Sequence, residues 1–289
     1  TASQTVTPTV TPSPTAALPT DGLQLWLDAG NTNSYPGTGT TWYDLSSNKV
    51  NATLVNSITY SSSNSGSLVF NGSNQYVDTN QSLTANSYTI IAYYNATNAA
   101  TYRMVVSKET NAGGPWNYRM YLISGNGYLT GDVTATAGGS VTYNSNLANG
   151  SWVNTAFVRD VASDNLYLYS NGSLVATNTD TSTGTVTNAQ NVWIGKSAYL
   201  GGNYPFLGNI SVVIIYNRAL NAAEIQQIYD YYSPRYVPPT PTPTPSNTAT
   251  QTQTPTTTPT PTTTPLYYIL AQSGDILAAQ NGDLIAYQH

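Results

Sequence analysis

Two tracts rich in proline and threonine limit what this chain can fold into. Residues 237–265 contain 9 prolines and 14 threonines, and residues 1–20 contain four prolines and seven threonines. Proline lacks the backbone donor that helices and sheets need, and threonine offers no apolar face, so neither tract can form a hydrophobic core. We therefore predict a connector over residues 1–20, a folded domain over 21–236, a linker over 237–265 and a small folded segment over 266–289.

The longer tract has the composition of an extended, glycosylated stalk. Alternating proline and threonine favours the polyproline II conformation, and tracts of this kind are typical of O-glycosylated stalks. An unmodified flexible spacer is the alternative. The hydroxyls that we expect to carry glycans are those of Thr240, Thr242, Thr244, Thr254, Thr256, Thr257, Thr258, Thr260, Thr262, Thr263 and Thr264.

The chain carries few charges. It has 8 lysines and arginines against 13 aspartates and glutamates, a net charge of −5, and only 7% charged residues, where globular chains average about a quarter. With so few cations we expect no nucleic-acid partner, and no apolar run approaches the roughly 20 residues that span a bilayer. Cysteine is absent and the single histidine is His289, which excludes zinc fingers, disulfide frameworks and triads based on these residues.

Hydroxyl and amide side chains must keep such a chain in solution, which favours an extracellular or cell-surface location. Because the sequence starts at Thr1 without methionine, we expect a processed product whose leader has been removed. Seven Asn-x-Ser/Thr triplets are candidate N-glycosylation sites, although such triplets also arise by composition alone. They begin at Asn51, Asn71, Asn80, Asn95, Asn149, Asn171 and Asn209.

Residues 21–236 have the pattern of an all-β domain. Short β-prone runs alternate with turn residues, and the runs on either side of Asn171-Gly172 predict a hairpin with a type I′ turn. Many short strands without intervening helices predict a sandwich of antiparallel sheets. The predicted strands are Leu23–Asp28, Leu68–Phe70, Gln75–Asp78, Tyr88–Tyr94, Tyr102–Val106, Tyr118–Ile123, Trp152–Arg159, Leu166–Tyr169, Leu174–Thr177, Val192–Gly195 and Ile210–Tyr216.

One short helix is predicted near the end of this domain. Asn221 is a candidate N-cap, Glu224 stands at the third helical position, and Leu220 with Ile225 can form a hydrophobic staple. This pattern explains Glu224 as a capping residue rather than as a catalytic acid. The residues expected on the buried face of the helix are Ile225, Ile228, Tyr229 and Tyr232.

Several phrases in this domain resemble the laminin-G-like branch of the concanavalin-A-like jelly rolls, as found in extracellular surface proteins of bacteria and phages. They include GLQLWLDAGN from Gly22, GSLVFNGSNQYVDT from Gly66 and GNISVVIIYNRALNAAEIQQIYDYY from Gly208. The resemblance covers nearly all of residues 21–236 and implies a jelly-roll sandwich of two curved antiparallel sheets. Members of this family serve as lectins, adhesins, enzyme appendages and spacers, so the fold alone does not decide the function. The resemblance also implies that four tryptophans pack inside: Trp26, Trp42, Trp152 and Trp193.

The chain lacks the carboxylates of a glycosidase. Glucanases related to the resembled family carry a Glu-x-Asp-x-x-Glu strand motif, and nothing in this sequence matches it. Hydrolysis needs two carboxylates roughly 5 to 10 Å apart across a groove, whereas the chain has two glutamates in all, Glu109 and Glu224. Asp160 and Asp164 are explained by turn geometry at a hairpin entry. We therefore expect no catalytic residues and no enzymatic activity.

A sugar-binding role remains open, since lectins use flat aromatic rings and amides, and the chain has 24 tyrosines. In a chain with few charges, tyrosines that only cover the surface are the alternative. The residues in or beside Gly-rich loops that could form a glycan platform are Tyr93, Tyr94, Trp116, Tyr118, Tyr199 and Tyr204.

The resemblance also implies a candidate metal site. Members of the family often hold Ca²⁺ at the rim of the sandwich through aspartate, asparagine and carbonyl oxygens. Asp28 and Asp44 are the candidate calcium ligands here, and plain turn-forming aspartates are the alternative. We expect no other cofactor.

The last 24 residues repeat every eight positions, as ILAQSGD, ILAAQNGD and LIAYQH. Turns at Ser273-Gly274 and Asn281-Gly282 predict a three-stranded β-meander in which Leu270 stands opposite Leu277. Both faces of such a meander would be apolar, so we expect another surface to cover it. The residues expected to make that contact are Tyr268, Ile269, Leu270, Ala271, Ile276, Leu277, Ala278, Leu284 and Ile285.

Two functions are consistent with these patterns. The first is a non-enzymatic structural subunit of an extracellular filament or surface appendage, a homopolymer with glycosylated connectors. Docking of residues 266–289 of one copy onto the next is a contact that does not close, and such contacts generate filaments. The alternative is a carbohydrate-binding adhesin or lectin-like module on a cell or phage surface, whose partner is a surface polysaccharide. In a third possibility the C-terminal segment docks onto a different protein.

Overall fold

The chain divides into two compact units, Thr1–Thr240 and Pro241–His289, which are described separately. All the threonines predicted to carry O-glycans lie outside the described residues. The computed structural model describes residues 17–110, 117–133, 138–182, 188–197 and 204–236 of the first unit, and the strand residues 267–270, 276–280 and 283–286 of the second.

The described part of the first unit is built from strands and one α-helix. The helix α1 spans Ala222–Tyr232. The strands are β1 (Leu23–Asp28), β2 (Thr41–Trp42), β3 (Ala52–Val55), β4 (Thr59–Ser61), β5 (Ser67–Asn71), β6 (Tyr76–Asp78), β7 (Tyr88–Thr97), β8 (Arg103–Lys108), β9 (Tyr118–Leu122), β10 (Tyr128–Val133), β11 (Ser140–Asn146), β12 (Asn149–Asp160), β13 (Asn165–Ser170), β14 (Ser173–Thr179), β15 (Trp193–Ile194) and β16 (Leu207–Tyr216).

These strands form two antiparallel sheets packed face to face. The first sheet has the order β14-β13-β12-β7-β16-β5-β4, and β1 also pairs with β16. The second sheet has the order β11-β10-β9-β8-β15-β6-β3-β2. Neighbours in a sheet are often distant in sequence, as for β8 and β15, which is the crossed connectivity of a jelly roll. The predicted all-β sandwich with one short C-terminal helix is confirmed.

The first sheet is buried on both sides, and its central strand β7 shows why. Ile90, Ala92 and Tyr94 belong to the core between the two sheets, whereas Ile91 and Tyr93 belong to a second apolar cluster with residues of α1. Alternate side chains of a strand point to opposite faces. The run YTIIAYY is nearly continuously apolar because both faces of β7 are covered.

The capping prediction for α1 is confirmed. The side chain of Asn221 accepts a hydrogen bond from the backbone N–H of Glu224 at 3.0 Å, and the Glu224 carboxylate accepts one from the backbone N–H of Asn221 at 3.0 Å. Leu220 and Ile225 are both buried beside the helix. Arg218 also donates two hydrogen bonds to Glu224, at 2.9 and 2.6 Å. Glu224 thus has a full set of structural partners.

The predicted hairpin at Asn171-Gly172 is also confirmed. Ser170 pairs with Ser173 across a two-residue connection between β13 and β14. Asn171 and Gly172 have φ of 48° and 78°, and a type I′ turn requires positive φ at both of its central residues.

The expectation that four tryptophans pack inside is wrong for three of them. Trp42 is completely buried in the core between the sheets. Trp26 is half-buried under α1, where its indole N–H donates to the Tyr232 hydroxyl at 2.7 Å. Trp152 and Trp193 are half-buried on the outer sides of the first and second sheets.

Both ends of the described domain lie on the side of the sandwich that carries α1. Leu18 belongs to the apolar cluster around α1, and Tyr236 packs against that cluster. Gln227 of α1 donates to the backbone carbonyl of Ala17, and the hydroxyl of Tyr216 donates to that of Pro19 at 2.9 Å.

The second unit contains the predicted three-stranded meander, with a different register. Its strands are β17 (Tyr267–Leu270), β18 (Ile276–Gln280) and β19 (Asp283–Ala286), in the order β17-β18-β19. Leu270 pairs with Ile276 rather than with Leu277, because five residues rather than four separate the paired ends of β17 and β18. Gln280 pairs with Asp283 across a two-residue connection, as predicted. Ala271 lies outside the described residues.

Candidate functional site

The second sheet turns one set of side chains inward and another outward. Along β9, Met120 and Leu122 are buried in the core between the sheets, so the alternation of the strand places Arg119 and Tyr121 on the opposite side. We call this outward side the aromatic face, after five of the described rings that lie on it. They belong to Tyr76, Tyr102, Tyr121, Trp193 and Tyr204.

Three of these tyrosines enclose a depression. The ring centroids of Tyr102 and Tyr121 are 5.7 Å apart, and those of Tyr102 and Tyr204 are 5.1 Å apart. The depression has a volume of about 180 Å³, and Met104 and Arg119 also line it. Tyr102 is 38% exposed, so a ring surface faces solvent at the rim.

A second pair of rings lies on the same face. Trp193 of β15 pairs with Ser107 of β8 and Asp78 of β6, so the row of outward residues continues across the sheet. Its ring stacks on Tyr76 with centroids 4.3 Å apart and planes inclined by 30°. The ammonium of Lys196 lies 5.4 Å from the centre of the Tyr76 ring.

Charged side chains hold the ring of Tyr121 in place. The guanidinium of Arg119 forms an ion pair with Asp132, the residue opposite it on β10. It lies 5.3 Å from the centre of the Tyr121 ring, and its Nε is 3.5 Å from a carboxylate oxygen of Glu109. The Tyr121 hydroxyl donates to the same oxygen of Asp132 at 3.1 Å. A ring held by both a cation and a hydrogen bond presents a preorganised surface to a ligand.

The protonation of Tyr121 agrees with its role as a donor. Burial, and then the charge of Asp132, raise the pKa of the Tyr121 phenol well above its ordinary value. The hydroxyl therefore keeps its proton at neutral pH and continues to donate to Asp132.

The structure brings one of the predicted platform residues to this site. Tyr204 lines the depression, whereas Trp116 and Tyr199 lie outside the described residues. Tyr93, Tyr94 and Tyr118 are buried, with at most 2% of each side chain exposed, so their rings are not accessible to a sugar. The prediction is wrong for these three because Tyr93 and Tyr94 lie on a strand with both faces covered, and Tyr118 points into the core between the sheets. The sequence pattern did not identify four other aromatic residues of this face, Tyr76, Tyr102, Tyr121 and Trp193.

A smaller depression lies on the opposite side of the sandwich, beside α1. Trp152 and Tyr236 form its aromatic wall, with ring centroids 4.7 Å apart. The side-chain amide of Asn154 also lines it, and that amide nitrogen is buried without a hydrogen-bond partner among the described residues. No charged side chain lines this depression in the described part of the chain.

The comparison with protein families decides what kind of domain this is. A family model of laminin G type, described as the concanavalin A-like lectin and glucanase superfamily, matches residues 70–226. The chain belongs to this superfamily. A comparison with curated protein sequences finds no match.

Solved structures of other proteins share this fold. Domain 4 of AbnA, an extracellular arabinanase from Geobacillus stearothermophilus solved in complex with arabinotriose, matches with a TM-score of 0.55 and 17% identity, over 72% of this chain and 98% of that one. The receptor-binding domain of botulinum neurotoxin type G matches with a TM-score of 0.54 and 16% identity, over 72% of this chain and 51% of that one. The chain thus spans about half of the neurotoxin domain.

The superfamily resemblance implied calcium at two aspartates, and the structure gives both carboxylates protein partners instead. Asp28 is buried and accepts two hydrogen bonds from Arg235, at 2.7 and 2.9 Å. Asp44 accepts from the backbone N–H groups of Trp26 and Ser46, at 3.0 and 2.9 Å. A guanidinium occupies the position of a cation beside Asp28, so the calcium assignment is wrong there, and Asp44 is explained by the turn that it organises.

The seven candidate N-glycosylation residues fall into two groups. Asn95 and Asn209 are half-buried, and their side-chain amides donate to Gly150 and Ser67, at 2.5 and 3.0 Å. An amide bound within a central pair of strands is a poor acceptor for a bulky glycan. The other five are exposed: Asn51, Asn71, Asn80, Asn149 and Asn171.

The acidic residues considered for catalysis have structural partners. Asp160 accepts a hydrogen bond from the backbone N–H of Ala162 at 3.1 Å, and Asp164 has φ of 51°, so both shape the turn between β12 and β13. Glu109 is buried and lies beside Arg119 and Ser197. Among the described residues, no group of three His, Cys, Asp or Glu side chains is placed to hold a metal ion, and no described helix is long and apolar enough to cross a membrane.

Proposed function

We propose that the domain over residues 21–236 is a non-catalytic carbohydrate-binding module that holds a glycan on the aromatic face. The observation that carries this proposal is the depression enclosed by Tyr102, Tyr121 and Tyr204. Its Tyr121 ring is held by Arg119 and Asp132 before any ligand arrives, and Tyr102 contacts both Tyr121 and Tyr204.

Aromatic rings and hydrogen-bonding groups are combined here in the way that a sugar requires. The apolar C–H surface of a pyranose or furanose packs on the flat face of an aromatic ring, and its hydroxyls need donors and acceptors at the edge of that ring. The phenol of Tyr102 is exposed, and Asp132 accepts from Tyr121 close by. The second pair of rings, Tyr76 and Trp193, would extend the contact to further sugar units of a chain.

The neighbouring folds support the same class of ligand. The Geobacillus domain is described in complex with arabinotriose, and the neurotoxin domain is described as receptor-binding. At this level of identity the likeness concerns the fold, so the argument for a sugar rests on the rings of the aromatic face. The surface composition favours an extracellular or cell-surface location for the module.

Binding should depend on the three tyrosines of the depression. We expect Tyr102→Ala and Tyr121→Ala each to weaken binding to an immobilised polysaccharide panel about tenfold, because each removes a stacking surface worth about 1–2 kcal/mol. Biolayer interferometry on arabinan, xylan, galactan, mannan and dextran would measure the change. Leu174→Ala is the control, since Leu174 is 52% exposed and lies on β14 of the first sheet.

Two outcomes would contradict the proposal. If the unmodified protein binds no member of a broad glycan array, the domain is not a carbohydrate-binding module. If Trp152→Ala abolishes binding while the tyrosine variants do not, the sugar binds beside α1 and the aromatic face is not the site.

A second function rests on a separate observation. The strands β17, β18 and β19 form a small sheet whose outer strands each have one unpaired edge among the described residues. Such edges can accept a strand from another chain. We propose on this basis that residues 266–289 join copies of the chain into a filament, with glycosylated Thr/Pro connectors. The same protein could then carry the carbohydrate-binding module along a surface appendage.

A further inference from the structure

We propose that the aromatic face selects neutral glycans and rejects acidic ones. This inference rests on the proposed function above and names the ligand class of the same site. It comes from the small number of charged side chains and from the partners that they have within the protein.

Every arginine of the chain already has partners within the protein. Recognition of a carboxylate or a sulfate favours an arginine with free N–H groups, and the chain has five arginines. Four of them form ion pairs with carboxylates: Arg119 with Asp132, Arg159 with Asp180, Arg218 with Glu224 and Arg235 with Asp28. The fifth, Arg103, is 6% exposed and donates to the backbone carbonyls of Asn98 and Pro205, at 2.8 and 3.1 Å.

The lysines do not replace them. Lys108 is completely buried and is surrounded by oxygens of Ser82, Asn188 and Gln190. Lys49 donates to the backbone carbonyl of Leu45. Lys196 is the one lysine in the described part of the aromatic face, where it lies over the ring of Tyr76.

Carboxylates outnumber cations on the aromatic face. Glu109 and Asp132 flank Arg119, and Asp78 lies beside Trp193 and accepts from Asn191 at 3.0 Å. Against these three carboxylates stand Arg119 and Lys196. Residues 111–116 and 198–203 contain no lysine or arginine. An acidic sugar would therefore meet a net negative surface, and to gain Arg119 it would have to displace Asp132. A neutral sugar is not repelled by this surface and does not have to displace Asp132.

A matched pair of probes tests this directly. The intact protein is measured against arabinan, xylan, galactan, mannan and dextran, and against the carboxymethylated or sulfated derivative of each. We expect at least tenfold weaker binding to the acidic derivative of any polysaccharide that binds. The ratio of neutral to acidic affinity should decrease as the salt concentration rises, because salt screens the repulsion. Tighter binding to the acidic derivatives would overturn this inference and leave the carbohydrate-binding proposal intact. Binding to neither set would overturn both.

A charge variant tests the cause. Asp132→Asn removes the main partner of Arg119, so we expect the ratio of neutral to acidic binding to fall at least threefold. Asp230→Asn is the control, since it makes the same change in net charge on the exposed surface of α1. Asp78→Asn provides a second variant that removes a carboxylate of the aromatic face without disturbing Arg119. If both aromatic-face variants leave the ratio at that of Asp230→Asn, the charge explanation is wrong.

Discussion

Lys108 stands at the end of β8, where its ammonium is completely buried. It donates to the side chain of Ser82 at 2.9 Å, to the backbone and side-chain oxygens of Asn188 at 2.7 and 2.9 Å, and to the Gln190 carbonyl at 2.8 Å. None of these partners is a carboxylate. Burial lowers the pKa of Lys108 to about 8, so the group is still protonated at neutral pH. A single ammonium thus joins β8 to two separate loops, much as a bound cation would.

Replacing this ammonium should loosen both loops. We expect Lys108→Met to lower the free energy of unfolding by about 1–3 kcal/mol, because the loop oxygens lose their charged donor while the packing of the side-chain stem is kept. Urea unfolding followed by tryptophan fluorescence would measure the shift in midpoint. Lys49→Met is the control on an exposed lysine. Equal midpoints for the two variants would show that Lys108 contributes nothing to the loops.

At the scale of the element, the sequence predicts the strands that are apolar and fails on those that are not. Each predicted strand is present, often with longer ends, whereas β2, β3, β4, β10 and β11 were not predicted. The strand β11 has the polar sequence SVTYNSN, and β2 is only two residues long, so neither has a hydrophobic pattern to detect. These segments become strands because they pair with neighbouring strands.

The candidate site shows the same limit. The Gly-rich surroundings identify Tyr204. The sequence does not reveal that α1 covers Tyr93 on the outer side of β7, or that Tyr94 faces the core between the sheets. Tyr121 could have been found from alternation with Met120 and Leu122 along a predicted strand. Its contact with Tyr102 depends on how β8 and β9 pair, with Met104 opposite Tyr121, and this register is a tertiary property.

The C-terminal sheet leads to the prediction for this scale. If residues 266–289 join copies of the chain, their deletion should leave a monomer at concentrations where the full chain polymerises. Analytical ultracentrifugation and negative-stain electron microscopy of the two proteins would compare them. A truncated protein that still polymerises would contradict the filament hypothesis, and so would a full chain that stays monomeric without any partner. Glycan binding by the first unit should be the same in both proteins.

The whole molecule relies on tyrosine where most proteins use other large apolar residues. Only three phenylalanines are present beside the 24 tyrosines, and several phenols lie within the cores on both sides of the first sheet. Burial raises the pKa of these phenols above the ordinary value of 10. Five of the strongly affected residues are Tyr88, Tyr94, Tyr118, Tyr216 and Tyr232.

This arrangement predicts cooperative alkaline unfolding. Above pH 10 the unfolded chain loses its phenolic protons while the folded chain keeps them, so the folded state binds more protons and its stability falls as pH rises. Each such tyrosine costs up to about 1.4 kcal/mol per pH unit, and five together approach the whole stability of a typical domain. We expect absorbance at 295 nm and circular dichroism to change in one step between pH 10 and 12. Gradual ionisation of these phenols with the sheet signal unchanged would contradict the prediction.

The position of the chain ends has a consequence for how the module is displayed. Leu18 and Tyr236 both pack beside α1, so the chain enters and leaves the sandwich on the side away from the aromatic face. A tether attached at either end of the domain would therefore hold it from the α1 side and leave the tyrosines of the aromatic face accessible. If the aromatic face binds a glycan as proposed, a domain anchored through the α1 side can hold that glycan without either chain end lying on the aromatic face.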